Sequence, residues 1–219
     1  MHGLFIAGTD TDVGKTTITA LIAQQLRDRG NMVSARKPIA SGCDTSCSDA
    51  QRLSLTTGED EWLVCPHRFK AAVSPERAMR LEGKPLTLDD LVTASNNSRN
   101  FTLVEGAGGL LSPLTSDANN ADLASALALP ILLVVANKIG CINHTLLTLE
   151  AINSRKLTCL GIVANSINCP VDADTIADLE QLTQLPIWAI GHQQTQLPAT
   201  LLTFVEQCFS SSHTLNCHP

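Results

Sequence analysis

The residues with the clearest chemistry lie at positions 8–17, directly after an apolar run that predicts a strand. A glycine turn leads there into Lys15 and Thr16, which open a segment of helical periodicity. In such a turn backbone N–H groups cradle phosphates, the lysine reaches the terminal phosphates, and the threonine hydroxyl binds Mg²⁺. The common pattern G-x-x-x-x-G-K-[ST] would place its first glycine at Thr9, but Gly8 stands one position earlier. The segment predicts a nucleotide-binding loop with a shifted glycine.

Further polar residues follow two later apolar runs. Lys37, in a loop that continues to Ser41, is a cation suited to a γ-phosphate, a carbamate or a carboxylate, although a loop lysine alone is more often solvated. Glu105 ends an apolar run and precedes a glycine-rich loop that lets backbone approach phosphate or serves only a turn. We expect Glu105 to bind Mg²⁺ or to hold one of its ligands. Asp49 could be a metal ligand or only a helix cap.

Two segments later in the chain allow two interpretations each. Residues 140–143 open a segment of helical periodicity, and its free N–H groups could hold a carboxylate or belong to an ordinary capped helix. Asn165, at the end of an apolar run, could hydrogen-bond a purine edge or cap a loop. Asn137 and Lys138 resemble the start of the base-reading N-K-x-D motif of GTPases, but no Asp follows them, so GTP specificity is disfavoured.

The composition disfavours several classes of partner. The chain has 219 residues, a formal net charge of −6, 3% aromatic residues and no tyrosine, which argues against nucleic acid and anionic membranes. It has no apolar run of membrane-spanning length and no basic region of a signal peptide, so we expect a cytoplasmic protein. The eight cysteines lack disulfide-framework spacing and are interpreted as reduced thiols. Cys43, Cys47 and His67 match no strong zinc pattern.

Apolar runs alternate with segments of helical periodicity, which indicates a parallel sheet covered on both faces. Strands are predicted near residues 4–7, 32–35, 101–105, 130–136, 157–164 and 185–190, and helices near 121–128, 143–154, 172–184 and 197–209. Ser74 and Thr87 are predicted to cap further helices, and residues 62–73 are ambiguous but could hold a short strand. We predict a single doubly wound α/β domain over residues 1–209, with ligands at the carboxyl ends of the strands, and a flexible tail over 210–219.

Six segments together resemble the ATP-dependent dethiobiotin synthetase family, a P-loop family of synthetases. They are Gly-Thr-Asp-Thr-Asp-Val-Gly-Lys-Thr (8–16), Lys-Pro-Ile-Ala-Ser-Gly (37–42), Ser-Asp-Ala (48–50), Val-Glu-Gly-Ala-Gly-Gly-Leu (104–110), Lys-Ile-Gly-Cys-Ile-Asn-His (138–144) and Gly-Ile-Val-Ala-Asn (161–165). The segments occur in family order across most of the chain, and the shifted glycine is itself a feature of the family.

The resemblance implies a ligase that closes a ureido ring late in biotin biosynthesis. In this family an amine of 7,8-diaminononanoate captures CO₂ as a carbamate, whose oxygen attacks the γ-phosphate of ATP to give a carbamic–phosphoric anhydride. The second amine then attacks the carbonyl, closes the ring and releases phosphate. Such a reaction depends mostly on positioning and on charge stabilisation.

The resemblance also implies roles for individual residues. Lys15 and Lys37 would neutralise charge on the phosphoryl group and the carbamate, and Thr11, the third catalytic residue, would hydrogen-bond the diamine or its carbamate, as would Ser41. The ligands of Mg²⁺ would be Thr16, Asp49 and Glu105. Residues that contact the nucleotide or its metal would be Asp12, Val13, Gly14, Lys15, Thr16, Thr17, Asp49, Glu105, Gly106, Ala107, Gly108 and Asn165, the last facing the adenine.

The family resemblance further implies a homodimer whose active sites are shared between subunits. The helix start formed by Gly140, Cys141, Ile142 and Asn143 would receive the carboxylate tail of a substrate bound to the neighbouring subunit. Two departures leave details open. Glu76 stands where the family often has histidine, and residues 191–194 lack the proline of the Gly-x-Ile-Pro run beside the base. A looser base pocket that accepts other nucleoside triphosphates is one hypothesis.

Two other classes share the expected fold. Nucleotide-switch proteins of the partitioning or metal-insertion type carry an early lysine in the phosphate loop, where this chain has Asp10, and glycines where it has Thr11 and Asp12. Amidoligase-type synthetases usually carry a glutaminase domain, for which we expect no room in this chain. The sequence therefore favours the ring-closing synthetase, with the nucleotide switch as the alternative.

Overall fold

The computed structural model describes residues 2–96, 100–166, 172–191 and 194–210. In chain order the elements are β1 (Gly3–Gly8), α1 (Lys15–Asp28), β2 (Val33–Arg36), β3 (Ile39–Ala40), α2 (Ser48–Thr57), α3 (Glu61–Val64), β4 (His67–Arg68), α4 (Pro75–Glu82), α5 (Leu88–Ser95), β5 (Phe101–Glu105), α6 (Asn120–Ala126), β6 (Ile131–Ala136), α7 (Cys141–Ser154), β7 (Cys159–Asn165), α8 (Ala173–Thr183), β8 (Ile187–Ile190) and α9 (Ala199–Ser210). Among these helices, none has the length and apolar character that a bilayer span requires.

Six strands form one parallel sheet in the order β2-β5-β1-β6-β7-β8. β1 lies between β5 and β6, and its Phe5 pairs with Val104 on one side and Ile131 on the other. All six residues of β1 are buried, as expected of a central parallel strand covered on both faces. β3 and β4 form a separate two-stranded parallel sheet. The carboxyl ends of β1, β2 and β5 therefore lie side by side.

Alternate residues of β1 pack into hydrophobic cores on opposite faces of the main sheet. Leu4 and Ile6 pack in the core that contains Ile18 of α1. Phe5 packs in the other core, together with Val104 and with residues of α6. This alternation is what a pleated strand imposes on successive side chains. The sheet is thus held rigidly between two helical layers, and its edge positions the residues that follow each strand.

The predicted doubly wound α/β fold is confirmed. β5 spans the predicted residues 101–105, whereas β6, β7 and β8 begin one or two residues later than predicted. The ambiguous residues 62–73 contain the end of α3 and the short strand β4. Ser210, the first residue of the predicted tail, is the last residue of α9, and residues 211–219 lie outside the described part of the chain.

The two predicted helix caps differ in the structure. Thr87 and Asp90 form a reciprocal capping box at the start of α5, as the sequence predicts. α4 begins at Pro75 as predicted, but the side chain of Ser74 makes no capping hydrogen bond, so its predicted capping role is wrong. Pro75 occupies the first helical position, where its missing N–H would have no intrahelical partner, and the helix starts there without a side-chain cap.

Candidate active site

The phosphate loop connects the end of β1 to the first turn of α1. Gly14 caps α1 with φ 94°, a left-handed conformation that favours glycine. The buried Lys15 side chain folds back, and its Nζ donates to the carbonyl of Asp10 at 2.7 Å. A Cβ on residue 8 would lie 2.8 Å from Lys15 Nζ and 2.9 Å from Val13 Cγ2. The shifted Gly8 therefore has a steric cause, because it leaves room for the lysine against the strand end.

Asn165, at the end of β7, packs against this loop from behind. Its Nδ2 donates to the carbonyl of Val13 at 2.8 Å. A Cβ on Gly14 would lie 1.9 Å from the same nitrogen, so the two residues fit only because residue 14 is glycine. The amide therefore braces the phosphate loop, and its contact with the adenine stays a prediction.

Lys37 follows β2 directly and lies between two carboxylates. Its Nζ is 2.6 Å from Asp49 Oδ2 and 2.7 Å from Glu105 Oε1. Glu105 Oε1 also accepts a hydrogen bond from Thr16 Oγ1 at 2.6 Å. The structure thus brings together residues from α1, α2, β5 and the loop after β2, although up to 89 positions separate them in the chain.

The two buried lysines of the site differ in their electrostatics. Burial lowers the pKa of Lys15 to about 8, and the nearby carboxylate of Glu105 only partly opposes this effect. Burial also disfavours the charged form of Lys37, but Glu105 and Asp49 outweigh it and raise the pKa of Lys37 above its ordinary value. Burial likewise opposes ionisation of Asp49, yet Lys37 holds the pKa of this carboxyl below its usual range. Lys37 is therefore firmly charged, whereas Lys15 lacks a dominant anionic partner.

The oxygen atoms around Lys37 fit a divalent cation. Glu105 Oε2 is buried and is without a hydrogen-bond partner in the described part of the chain. The Thr16 hydroxyl contacts the same carboxylate, and Asp49 reaches it through the shared Lys37 ammonium. Carboxylate and hydroxyl oxygens of this kind are typical ligands of Mg²⁺. The three predicted metal ligands are therefore placed together, with one carboxylate oxygen left without a partner.

These side chains line a cavity of about 530 Å³ beyond the carboxyl ends of β1, β2 and β5, a size typical of small-molecule sites. The predicted residues that line it are Thr11, Asp12, Gly14, Lys15, Thr16, Thr17, Lys37, Ser41, Asp49, Glu105, Ala107 and Gly108. A larger, mainly apolar cavity of about 720 Å³ lies at the amino ends of the strands, near His2 and Phe204, and contains none of the predicted residues. Chemistry rather than size identifies the smaller cavity as the candidate site.

The residues predicted to bind the diamine, Ser41 and Thr11, lie in the wall of this cavity. Ser41 Oγ donates to the carbonyl of Val73 at 2.5 Å, so its oxygen is oriented by the loop before α4. The backbone N–H of Thr11 donates to Asp10 Oδ1 at 2.7 Å, and its side chain is exposed. Both hydroxyls are placed where a substrate beside the phosphates could meet them.

The predicted carboxylate site at residues 140–143 lies apart from this cavity. α7 begins at Cys141 after Gly140, whose φ of 89° is left-handed. Cys141 is buried, Asn143 is exposed, and the preceding Ile139 is fully exposed. None of residues 140–143 is among those that line the cavity of their own chain.

Sequence reasoning missed Asn120, the first residue of α6, which holds the glycine-rich loop after β5. Its side chain accepts a hydrogen bond from the Ala107 N–H at 2.9 Å and donates to the carbonyls of Ala107 and Gly109 at 2.8 Å each. A Cβ on Gly106 would lie 2.6 Å from Asn120 Oδ1, so the close approach requires glycine at residue 106. No motif in the sequence marks this asparagine.

Arg52 is a second residue that sequence reasoning missed. It lines the cavity, and its Nη1 donates to Thr17 Oγ1 at 2.8 Å. Residues three positions apart share a helix face, so its spacing from Asp49 on α2 was a usable signal. Arg52 adds a further positive charge beside the phosphate loop.

A parallel sheet whose first strand runs through a glycine loop into Lys15 and Thr16 defines the chain as a P-loop nucleotide-binding protein. A family model described as "AAA domain" matches residues 2–198. An ATP-dependent dethiobiotin synthetase BioD from Caulobacter vibrioides is 40% identical over 91% of this chain and 92% of its own length. The protein of the same name from Anaeromyxobacter dehalogenans is 41% identical over 85% of this chain and 90% of its own. The chain belongs to the ATP-dependent dethiobiotin synthetase family.

Solved structures support the fold alone, because their sequences are distant. The septum site-determining protein MinD from Pyrococcus horikoshii, solved with Mg-ADP, matches with a TM-score of 0.53 at 17% identity and covers 98% of each chain. A Cyanothece McdA variant in complex with ATP matches with a TM-score of 0.55 at 14% identity and covers 96% of each chain. Both comparisons agree with the P-loop sheet described above.

Proposed function

We propose that this chain is an ATP-dependent cyclo-ligase that makes dethiobiotin in biotin biosynthesis. The observation that carries the proposal is the 40% identity to a dethiobiotin synthetase over 91% of the chain. The substrates would be ATP, 7,8-diaminononanoate and CO₂ or bicarbonate. The nucleotide-switch alternative is less well supported, since the likeness to MinD is limited to the fold.

The phosphate loop is proposed to bind the triphosphate of ATP. Backbone N–H groups of residues 12–17 would surround the phosphates, and the α1 dipole favours an anion there. Lys15 would gain in the terminal phosphates the anionic partner that it lacks, which offsets the burial that lowers its pKa. Asn165 would face the adenine from the loop side that it already braces.

The carbamate chemistry is proposed to occur beside Lys37, Ser41 and Thr11. An oxygen of the carbamate attacks the γ-phosphorus, ADP leaves, and a carbamic–phosphoric anhydride forms. The second amine then attacks the carbonyl carbon, expels phosphate and closes the ring. The charged Lys37 stabilises the anionic carbamate and the phosphoryl oxygens, while the two hydroxyls orient the diamine.

Mg²⁺ is proposed as the metal, held by Thr16, Asp49 and Glu105. When bound, it neutralises charge on the phosphate oxygens during the transfer. The unpartnered Glu105 Oε2 supports this assignment, because a buried carboxylate oxygen needs a cation or a donor. Lys37, which contacts Asp49 and Glu105, would then be released toward the carbamate.

The proposed assembly is a homodimer in which each active site takes residues 140–143 from the partner. Exposed apolar side chains surround that helix start, and they include Ile139, Leu146 and Leu147. Such a surface is typical of a buried interface. Free N–H groups at the start of α7 would receive the carboxylate tail of the diamine.

The remaining proposals concern the whole chain. We propose that residues 1–209 form one synthetase domain, because the six strands of the main sheet come from both ends of the described chain, from β1 to β8. The net charge of −6 supports partners that are small molecules rather than nucleic acid or membrane. The cytoplasm is the proposed location, since the reaction uses ATP.

The experiment that tests the function follows phosphate release by the purified protein with ATP, Mg²⁺, bicarbonate and the diamine. We expect release only when the diamine is present, together with dethiobiotin detected by mass spectrometry. Release that ignores the diamine would contradict the proposal and favour a nucleotide switch. ATP, CTP and GTP tested side by side would show whether the altered segment at 191–194, of which residues 192 and 193 lie outside the described structure, relaxes base selectivity.

A matched pair of lysine variants connects the activity to the site. Lys37→Ala should abolish diamine-dependent release, because it removes the charge that faces the carbamate. Lys70→Ala, at a lysine whose side chain is 72% exposed, should leave release unchanged. Equal loss in both variants would contradict the assigned role of Lys37.

A further inference from the structure

Three cysteines form a cluster of thiols beside the wall of the candidate active site. The thiols of Cys43 and Cys65 donate to the carbonyls of Ser41 and His67 at 3.9 and 3.8 Å, and both lie close enough to the Cys47 sulfur to interact with it. Cys47 and Cys65 pack with Ala40 and Ala50 in one small buried group, and Cys43 packs against it. All three are free thiols. The cluster therefore places two oxidisable sulfurs, those of Cys43 and Cys65, beside the sulfur of Cys47, a feature that the proposed reaction does not use.

Access distinguishes one pair of sulfurs within the cluster. A cavity of about 520 Å³ on the outer side of the loop is lined by Cys43 and Cys47 but not by Cys65. Cys43 is half-buried and Cys47 is 3% exposed, whereas Cys65 is fully buried. The residues between the accessible pair, 44–46, are exposed and belong to no helix or strand. A small oxidant in this cavity would meet Cys43 and Cys47 first.

The same pair is connected directly to the active site. Cys43 lies two residues after Ser41, and Cys47 lies two residues before Asp49 and directly precedes α2. Ser41 and Asp49 both line the catalytic cavity. A disulfide requires Cα atoms about 4.4–6.8 Å apart and a fixed torsion about the sulfurs, so it would fix the path of the loop between them. If the disulfide changed the path of this loop, it would displace Ser41 or Asp49.

We propose that Cys43 and Cys47 form a reversible disulfide that switches the active site off. The oxidant is a low-molecular-weight disulfide, for which glutathione disulfide is the probe. The more exposed Cys43 sulfur attacks one sulfur of the probe and forms a mixed disulfide, and the first glutathione leaves as a thiol with the proton from Cys43. The Cys47 sulfur then attacks Cys43 Sγ and expels the second glutathione with its own proton. The two cysteines lose two electrons and two protons, and the probe becomes two thiols.

The test treats the full chain with glutathione disulfide, blocks remaining thiols and maps the disulfides by peptide mass spectrometry. We expect a Cys43–Cys47 bond, a fall in ring-closing activity of about tenfold or more, and full recovery with dithiothreitol, because small displacements in a site cost large factors in rate. Cys43→Ser should keep the activity of the reduced protein and lose its sensitivity to the probe. A Cys47–Cys65 bond, the absence of any bond, or a Cys43→Ser variant that is still inactivated would overturn the proposal.

Control variants separate this switch from other thiol effects. Cys65→Ser and Cys159→Ser should retain the sensitivity to glutathione disulfide, since neither residue belongs to the accessible pair. The effect on ring closure rests on the proposed function, but bond formation does not. Binding of a fluorescent ADP analogue, measured before and after oxidation, therefore distinguishes a failure of the proposed switch from a failure of the proposed function. If no dethiobiotin forms but oxidation still creates the bond and weakens ADP binding, the function is wrong and the switch stands.

Discussion

At the scale of single residues, the site holds two buried lysines in opposite electrostatic states. Lys37 lies within 2.7 Å of two carboxylates and is firmly charged. Lys15 is bonded at its Nζ to a backbone carbonyl, and burial lowers its pKa to about 8. A lysine with strong anionic partners stabilises the ligand-free protein, whereas one without them costs stability until a phosphate arrives. The two residues should therefore respond oppositely to loss of their charge.

Replacement of the first lysine, as Lys37→Met, should destabilise the metal-free protein. The Glu105 side chain, which is 0% exposed, would be left buried without its ammonium partner. Breaking a buried pair in this way costs about 3 kcal/mol of the free energy of unfolding. Mg²⁺ should stabilise the variant more than the wild type, since it supplies the missing cation. Denaturant unfolding in EDTA and in Mg²⁺ measures both effects.

Lys70→Met serves as the control for this prediction. Lys70 pairs with Asp44 at 3.7 Å, and both side chains are about 70% exposed. Exposed pairs contribute under about 1 kcal/mol, so the control should differ little from wild type with or without Mg²⁺. Similar losses of unfolding free energy in both variants would show that Lys37 does not stabilise the protein by neutralising buried carboxylates.

Replacement of the second lysine, as Lys15→Met, should stabilise the metal-free and nucleotide-free protein at neutral pH. Between about pH 8 and 10.5 the unfolded chain keeps the Lys15 proton while the folded chain has lost it, so the contribution of Lys15 to stability rises with pH. Below about pH 8 the buried, charged Lys15 lowers the free energy of unfolding by about 3 kcal/mol, and the Lys15→Met variant does not have this cost. The advantage of the variant should fade as pH rises toward 10.5. Denaturant unfolding across this range checks it, and a difference that is constant with pH would contradict it.

The sequence could predict residues that belong to local patterns but not those defined by distant contacts. Lys15 was predictable because the phosphate loop is a contiguous motif, and Glu105 because it ends a buried run. The bond from Asn165 to Val13 joins residues 152 positions apart, so no spacing along the chain could indicate it. Asn120 was missed because its side chain hydrogen-bonds to backbone carbonyls. Every residue has such a carbonyl, so the contact leaves no motif in the sequence.

At the scale of elements, two neighbouring asparagines at the start of α6 have different tasks. Asn119 caps its own helix by accepting hydrogen bonds from the N–H groups of Ala121 and Asp122. Asn120 turns away from the helix and bonds to the glycine-rich loop after β5. One residue therefore stabilises the helix, and the other attaches that helix to the active site.

The paired variants Asn119→Ala and Asn120→Ala should separate these tasks. Loss of the cap should cost about 1 kcal/mol of unfolding free energy and leave kcat/KM unchanged. Loss of Asn120 should cost about 3 kcal/mol, because it leaves buried backbone groups unpaired, and should lower kcat/KM about tenfold by releasing the loop. Unfolding and steady-state kinetics at a temperature where both variants are folded measure these outcomes. Equal kcat/KM in the two variants would contradict a role for Asn120 in positioning the loop.

Elements were predictable where burial imposes a long pattern. β5 was predicted at its observed bounds because five consecutive residues are buried. β3 and β4 contain two residues each, which is too short for any periodicity to be seen. Ser74 and Thr87 carry similar capping signals, yet only the Thr87 side chain makes a capping hydrogen bond. Local signals thus predict where a helix starts better than which side chain caps it.

At the scale of the whole molecule, the exposed apolar residues bear on the proposed dimer. Leu147 on α7 is 56% exposed and lines a cavity together with Leu111, which is 49% exposed, and Asp10 of the phosphate loop. This surface includes residues of the same helix that begins with the proposed carboxylate site, together with Thr9 and Asp10 of the phosphate loop. A second subunit seated here would cover apolar side chains and bring its own helix start toward the phosphate loop.

The variant Leu147→Glu should therefore weaken the dimer. A charge buried in the interface without a partner is unfavourable, so sedimentation velocity should show monomer at concentrations where the wild type is dimeric. The monomer should have a raised KM for the diamine, because the partner helix that receives its carboxylate is lost. Leu182→Glu on α8, at a leucine of 55% exposure, is the matched control and should remain dimeric and active.

Mixing two inactive variants tests whether the site itself is shared between subunits. Lys37→Ala removes the catalytic cation, and Asn143→Asp adds a negative charge at the helix start, where the acid suits the helix but repels the substrate carboxylate. In a mixed dimer of twofold symmetry one site carries both changes and the other carries neither. An equal mixture, unfolded and refolded together and assayed at low diamine, should therefore recover about a quarter of wild-type activity. If each chain instead holds a complete site, mixing restores nothing, and the shared dimer is wrong.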